Sequence, residues 1–168
     1  YNRLGFTYKF EAVDDPFRVQ FAGGYFMKAL DRGNPVWCLV PDMKRWLPKI
    51  GWARKPCDGP MAWVRGTCYG WRNLAGAHPI MHALVSHCWG IVAARKLRTE
   101  HLAHRGKRLS TSAPPLAPTS TAPDNSIMQV ARAYGQTPAL VVAAIHDLKK
   151  IPSLPCIVMS PAMACFTS

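Results

Sequence analysis

Histidine is the residue type whose spacing in this chain best fits chemistry. His78 and His82 are four residues apart and His101 and His104 are three apart, so each pair would project from one helix face. Paired imidazoles can ligate zinc, but a zinc site also needs further ligands. No cysteine or carboxylate at ligand spacing completes either pair. The sequence therefore predicts no metal site.

Motifs of the common catalytic sites are absent from the sequence. There is no GxSxG turn, no Walker loop and no GxGxxG turn. The acidic pair Asp14-Asp15 precedes Pro16, which is typical of a turn rather than of a general acid–base couple. We therefore expect no enzymatic activity and no cofactor, and a small enzyme or metal protein is the hypothesis with least support.

Composition indicates a folded, strongly basic protein of 168 residues, 49% of them apolar. Its 21 lysines and arginines outnumber nine acidic residues, and the excess is shared evenly between residues 1–72 and 73–168. Such a balance suits RNA, acidic lipid headgroups or acidic protein partners. No two cysteines form a C-x-x-C motif, so we expect reduced thiols that act as small apolar residues. They are Cys38, Cys57, Cys68, Cys88, Cys156 and Cys165.

Residues 1–72 predict a basic, tryptophan-rich region that is amphipathic or irregular. Residues 17–30 form a candidate helix, which Gly23-Gly24 would weaken, and residues 33–35 form a turn. Five of the six tryptophans lie between residues 36 and 72, among lysines, arginines and four prolines. Three interpretations stay open for them: a membrane–water interface, stacking on RNA bases, or a small core. The five are Trp37, Trp46, Trp52, Trp63 and Trp71.

An uncharged run over residues 73–94 predicts a transmembrane helix, extended by a basic segment to residue 108. From Pro79 the run has 16 residues, about 24 Å of helix, so its flanking cations would have to snorkel. The alternative is a buried helix of a soluble domain. We expect anionic lipid, cardiolipin in particular, at the residues of headgroup depth. These are Trp71, Arg72, Arg95, Lys96 and Arg98.

One face of the predicted span carries a stripe of small or polar residues at four-residue spacing: His82, Ser86, Gly90 and Ala94. In lipid, small residues allow close helix packing and polar ones form hydrogen bonds between helices. The stripe therefore predicts the face that packs against other subunits.

The C-terminal part predicts a linker followed by helices. Residues 109–125 are rich in Pro, Ser and Thr, as expected of an extended linker. Within 126–168, a short helix is expected at 127–134 and a second at 138–150, with Thr137 as N-cap and an apolar tail that needs covering. The predicted fold is mostly α, with one transmembrane helix and no compact enzyme fold.

The segment from Trp63 to Arg108 resembles mitochondrial ATP synthase subunit f. Pro79-Ile80-Met81-His82 is similar to the start of that family's membrane helix, and His101-Leu102-Ala103-His104 is similar to its basic tail. The resemblance implies a non-catalytic subunit of the membrane domain, beside subunit a, in the mitochondrial inner membrane. The chain begins at Tyr1 rather than Met, which would fit a targeting peptide removed on import.

Two other functions remain open. One is a supernumerary subunit of a respiratory complex, again with one span. The other is a mitochondrial ribosomal protein whose basic, tryptophan-bearing segments contact RNA. Under the leading hypothesis, the partners are other membrane subunits and anionic lipid, and nucleic acid is not expected.

Overall fold

The computed structural model describes residues 12–47, 60–93, 120–152 and 160–167. A short 3-10 helix at Pro16–Arg18 precedes the first strand. The strands are β1 (Gln20–Phe21), β2 (Gly24–Asp31), β3 (Asn34–Pro41) and β4 (Ser120–Thr121). The helices are α1 (Met43–Trp46), α2 (Pro60–Ala75), α3 (Pro79–Ala93), α4 (Ser126–Tyr134), α5 (Pro138–Lys149) and α6 (Pro161–Thr167).

Two tight turns make the N-terminal region an antiparallel sheet. Ala22 and Gly23 have φ of 51° and 78°, and Arg32 and Gly33 have φ of 50° and 83°. Positive φ at both central residues is the geometry of the two-residue turns that fit twisted hairpins. A Cβ on Gly24 would lie 2.5 Å from the Val40 carbonyl oxygen, so only glycine fits there. The helix predicted over residues 17–30 is therefore wrong. The turn predicted at residues 33–35 is centred on Arg32-Gly33 instead, because Asn34 and Pro35 already belong to β3.

The sheet alternates an inner and an outer face, as period-two side chains require. Met27 pairs with Cys38 and Ala29 with Val36, and this inner face enters the core. The outer face carries Phe26, Lys28, Trp37 and Leu39. Residues 1–72 are thus not an irregular region where the structure describes them.

The free edge of β2 is completed by a side chain of α4. β1 pairs with β2 at Gly24 and Tyr25, and β4 pairs at Leu30 and Asp31. In the gap, the buried Gln129 amide accepts the Lys28 N–H at 2.7 Å and donates to the Lys28 carbonyl at 3.4 Å. The amide therefore replaces one residue of a neighbouring strand.

Replacing Gln129 by methionine should lower the free energy of unfolding by about 1–3 kcal/mol, because both backbone groups of Lys28 lose their partner. Chemical denaturation with circular dichroism detection measures this change. Gln136→Met is the control, because no hydrogen bond of the Gln136 side chain is seen in the described part of the chain, and it should change stability little. Equal effects of the two substitutions would show that Gln129 does not complete the sheet.

The uncharged run forms parts of two helices rather than one span. α2 ends at Ala75 and α3 begins at Pro79, so the helix predicted over residues 73–94 is broken. α3 has 15 residues, about 22 Å, and no helix among the described residues is long and apolar enough to cross a membrane. The predicted fold class, with its single transmembrane helix, is therefore wrong.

α3 is a core helix, as the alternative hypothesis for this run proposed. Its buried side chains occupy most of its circumference because α2 and α5 both pack against it. They join one core with the inner sheet face and α6. The buried residues of α3 are Ile80, Met81, Ala83, Leu84, Val85, Cys88 and Val92.

The break between α2 and α3 buries a histidine. His78 is fully buried, and its Nδ1 accepts the Met81 N–H at 3.4 Å, which caps α3. Its Nε2 has no hydrogen-bond partner in the described part of the chain. Burial disfavours the charged imidazole and lowers the pKa of His78 from 6.5 to about 3.

Stability should therefore fall with acidification below the unfolded pKa of 6.5, where only the unfolded chain binds this proton. Between pH 7.5 and pH 5 we expect a loss of about 2 kcal/mol from His78. His78→Asn keeps a capping acceptor without titrating, so its stability should change less over this range. Urea denaturation at the two pH values measures both proteins, and identical pH dependence would contradict a buried neutral His78.

The helices predicted in the C-terminal part are confirmed. α4 covers residues 126–134, and α5 begins at Pro138 with Thr137 as N-cap, whose hydroxyl accepts the Leu140 N–H at 3.3 Å. Ser120–Thr121, inside the predicted linker, pair with β2. In the described part of the apolar tail, α6 packs against the rest of the chain, because Phe166 is buried against Tyr134.

Two of the thiols meet across the α2–α3 interface. Cys68 and Cys88 are both buried and unoxidised, and both line the same small gap between α2 and α3. Interaction with the Cys88 thiol and burial raise the pKa of Cys68. Both act as small core residues, as the sequence indicated.

Candidate functional site

The predicted packing stripe of α3 faces outward in the described structure. His82 is exposed, and its Nε2 lies 3.4 Å from the half-buried Ser86 hydroxyl. Gly90 is exposed and a Cβ there would meet nothing within 4 Å. Ala94 lies outside the described residues. The structure thus brings His82 and Ser86 together, not against another helix but at an open cleft beside α5.

The residues predicted at lipid headgroups are only partly described. Trp71 is half-buried and packs edge-on against Trp46, with ring centroids 5.5 Å apart. The Arg72 guanidinium lies over the Tyr69 ring at 3.7 Å and donates to the Tyr69 carbonyl at 2.7 Å. These contacts are made within the chain. Arg95, Lys96 and Arg98 lie outside the described residues.

A surface that the sequence did not reveal lies on the outer face of β1–β3. Its apolar side chains are unusually exposed: Phe21 by 62%, Trp37 by 51% and Leu39 by 37%. Phe21 pairs with Gly24, and side chains along β2 and β3 point alternately to the two faces of the sheet. Phe21, Trp37 and Leu39 therefore share the face opposite the core. We call Phe21, Phe26, Lys28, Trp37 and Leu39 the aromatic face. Adjacent exposed aromatics mark a binding surface more often than isolated ones do.

Ring contacts hold this face in a defined arrangement. The Phe21 and Phe26 rings stack with centroids 6.3 Å apart and planes 27° apart. Lys28 Nζ lies 5.3 Å from the centre of the Trp37 ring, within the range of a cation–π contact. Phe17 supports Trp37 from beneath the surface, with centroids 5.6 Å apart. The face therefore presents two fixed aromatic platforms beside a cation.

The charge on the face itself is positive, because Lys28 is its one charged residue. Around it, exposed Arg32 in the turn after β2 and Arg45 beside the turn before it add positive charge, whereas exposed Asp31 stands next to Arg32. Asp42, at the end of β3, is buried and accepts hydrogen bonds from the Lys44 N–H and the Tyr134 hydroxyl. An anionic ligand would meet no exposed carboxylate among the residues of the face.

α4 and α5 form a second candidate. Three residues join them, and Gly135 adopts the left-handed conformation with φ of 62°. This is the connection found in helix-turn-helix motifs, whose second helix reads base edges with polar side chains. The exposed side chains in the first half of α5 include Ala139, Val142 and Ala143, which cannot form hydrogen bonds, whereas the exposed polar side chains His146 and Lys149 lie in its last turns. The pair therefore offers little for reading a duplex.

Comparisons with known proteins add no relationship: no family model, curated protein or solved structure matches the chain. Among the described residues, no group of three or more His, Cys, Asp or Glu side chains is placed to hold a metal ion.

Proposed function

We propose that the protein binds single-stranded nucleic acid on the aromatic face. The observation that carries this proposal is that exposed Phe21 and Trp37 share one sheet face with Lys28, whose Nζ contacts the Trp37 ring. The chain as a whole has a formal net charge of +12. Single-strand binding proteins combine aromatic rings that stack on bases with cations that contact the backbone. Stacking on RNA was one of the three interpretations left open for the tryptophans.

Unpaired bases suit this surface better than the alternatives. Aromatic rings on a sheet can stack only with bases that are not already stacked in a duplex. Phe26 and Trp37 are diagonal neighbours on paired strands, with Cα atoms about 7–8 Å apart, so adjacent bases of one nucleic-acid strand can reach both rings. A neutral protein partner would explain the apolar area but not the positive surroundings. Membership of a mitochondrial inner-membrane complex stays a prediction from residues 63–108, of which 94–108 lie outside the described structure.

The test is fluorescence anisotropy with labelled oligouridylate, oligothymidylate and a duplex of equal length. Phe21→Ala and Trp37→Ala should each weaken single-strand binding by about 1–3 kcal/mol, roughly 5- to 150-fold. Lys28→Gln should reduce the slope of log affinity against log salt by about 0.7, the value for one phosphate contact to a single strand.

Val142→Ala is the matched control, because Val142 is 50% exposed on α5, away from the hairpin. It should leave affinity unchanged. Duplex affinity equal to single-strand affinity, or equal losses for Val142→Ala and Phe21→Ala, would show that charge alone drives binding.

A further inference from the structure

A cleft of about 780 Å³ opens between α3 and α5. This volume lies in the range of small-molecule sites. The side chains that line it and can donate hydrogen bonds are His82, Ser86, His87 and Lys149. The rest of the lining is apolar and includes Pro79 and Ile145. No acidic residue belongs to the lining.

Lys149 and the His82–Ser86 pair have donors that are available to a ligand. Lys149 makes no ion pair with a carboxylate in the described part of the chain. The nearby carboxylate of Asp147 instead accepts the Ser160 hydroxyl at 2.6 Å and lies 3.6 Å from Lys150 Nζ. The His87 Nε2 lies 2.6 Å from the Ile151 carbonyl, to which it must donate. That donation fixes the orientation of the ring and occupies its Nε2–H, so His87 shapes the cleft wall rather than donating to a ligand.

We propose that this cleft binds the phosphate group of a small phosphomonoester, with its organic part against Pro79 and Ile145. A phosphomonoester carries close to two negative charges at pH 7 and three acceptor oxygens. Lys149 supplies a positive charge, and Lys149 and the His82–Ser86 pair supply donors, without a competing carboxylate in the lining. The site is separate from the aromatic face, so it does not depend on binding of a nucleic-acid strand.

The experiment is calorimetric titration of the full chain with inorganic phosphate, AMP and adenosine. Phosphate and AMP should bind and adenosine should not. Lys149→Gln should weaken AMP binding about tenfold or more, since it removes a charge-assisted contact. Lys150→Gln is the control, because Lys150 is a neighbouring exposed cation outside the lining, and it should change affinity less than twofold.

Three outcomes would overturn the proposal. The first is equal binding of adenosine and AMP, which would show that phosphate is not recognised. The second is loss of AMP binding in Phe21→Ala, which would place the nucleotide on the aromatic face instead. Comparing a 5′-phosphorylated oligonucleotide with its 5′-hydroxyl form distinguishes the two sources of the phosphate. Tighter binding of the phosphorylated form would indicate a strand end, and equal binding would indicate a free nucleotide. Unchanged AMP binding in Lys149→Gln would equally contradict the site.

Discussion

Replacing Trp46 by alanine is expected to lower the free energy of unfolding by about 3–5 kcal/mol. Trp46 is only 1% exposed, and its ring packs edge-on against Trp71 across the α1–α2 contact. Removing the indole would leave a cavity that the surrounding helices cannot fill completely. Denaturation in guanidinium, followed by circular dichroism, measures the change.

Trp37→Ala and Trp46→Phe are the controls for this experiment. Trp37 is half-exposed, so its loss should cost little stability while it weakens ligand binding. Phenylalanine at position 46 keeps most of the apolar volume and removes an indole N–H that has no partner among the described residues. If Trp46→Ala and Trp37→Ala are equally stable, the division of the tryptophans between core and surface is wrong.

Leu84→Arg is expected to destabilise the fold by about 3–5 kcal/mol, close to the whole stability of many domains. Leu84 lies in the middle of α3, is 6% exposed and belongs to the core. The substitution removes an apolar side chain and places an unpaired cation there. The expected result is aggregation or a broad, non-cooperative thermal transition in aqueous buffer.

Gly90→Arg on the same helix gives the matched comparison. Gly90 is exposed and has open space around it, so an arginine there should be tolerated. Two folded proteins of equal stability would show that Leu84 does not lie in a core. Loss of folding in Gly90→Arg alone would show that the outward face of α3 is covered.

Local signals predicted α4 and α5 well. Thr137 and Pro138 mark the start of α5 in sequence and occupy those positions in the structure, because capping is a short-range interaction. The β1–β2 hairpin is not predicted from the sequence, because Gly23 taken alone indicates only a weakened helix. Its actual role is a positive-φ turn, which only the pairing of β1 with β2 makes necessary.

Position in the fold, rather than residue type, decides what each tryptophan does. In the sequence Trp37 and Trp46 look alike, each aromatic and close to lysine or arginine. The strand alternation of β3 directs Trp37 outward, whereas α1 packs Trp46 inward. The uncharged run had a similar ambiguity. The lack of charge over residues 73–94 indicates that the segment is buried, but a helix buried in a protein core and a helix buried in lipid can have the same composition.

Photocrosslinking tests binding on the aromatic face most directly. An oligonucleotide that carries 5-iodouracil is irradiated with the full chain, and the crosslinked residues are identified by mass spectrometry. Binding on the aromatic face predicts crosslinks at Phe21 or Trp37, lost when an unlabelled single strand competes. Crosslinks confined to α5 or to residues 95–108, with none between residues 20 and 41, would contradict it.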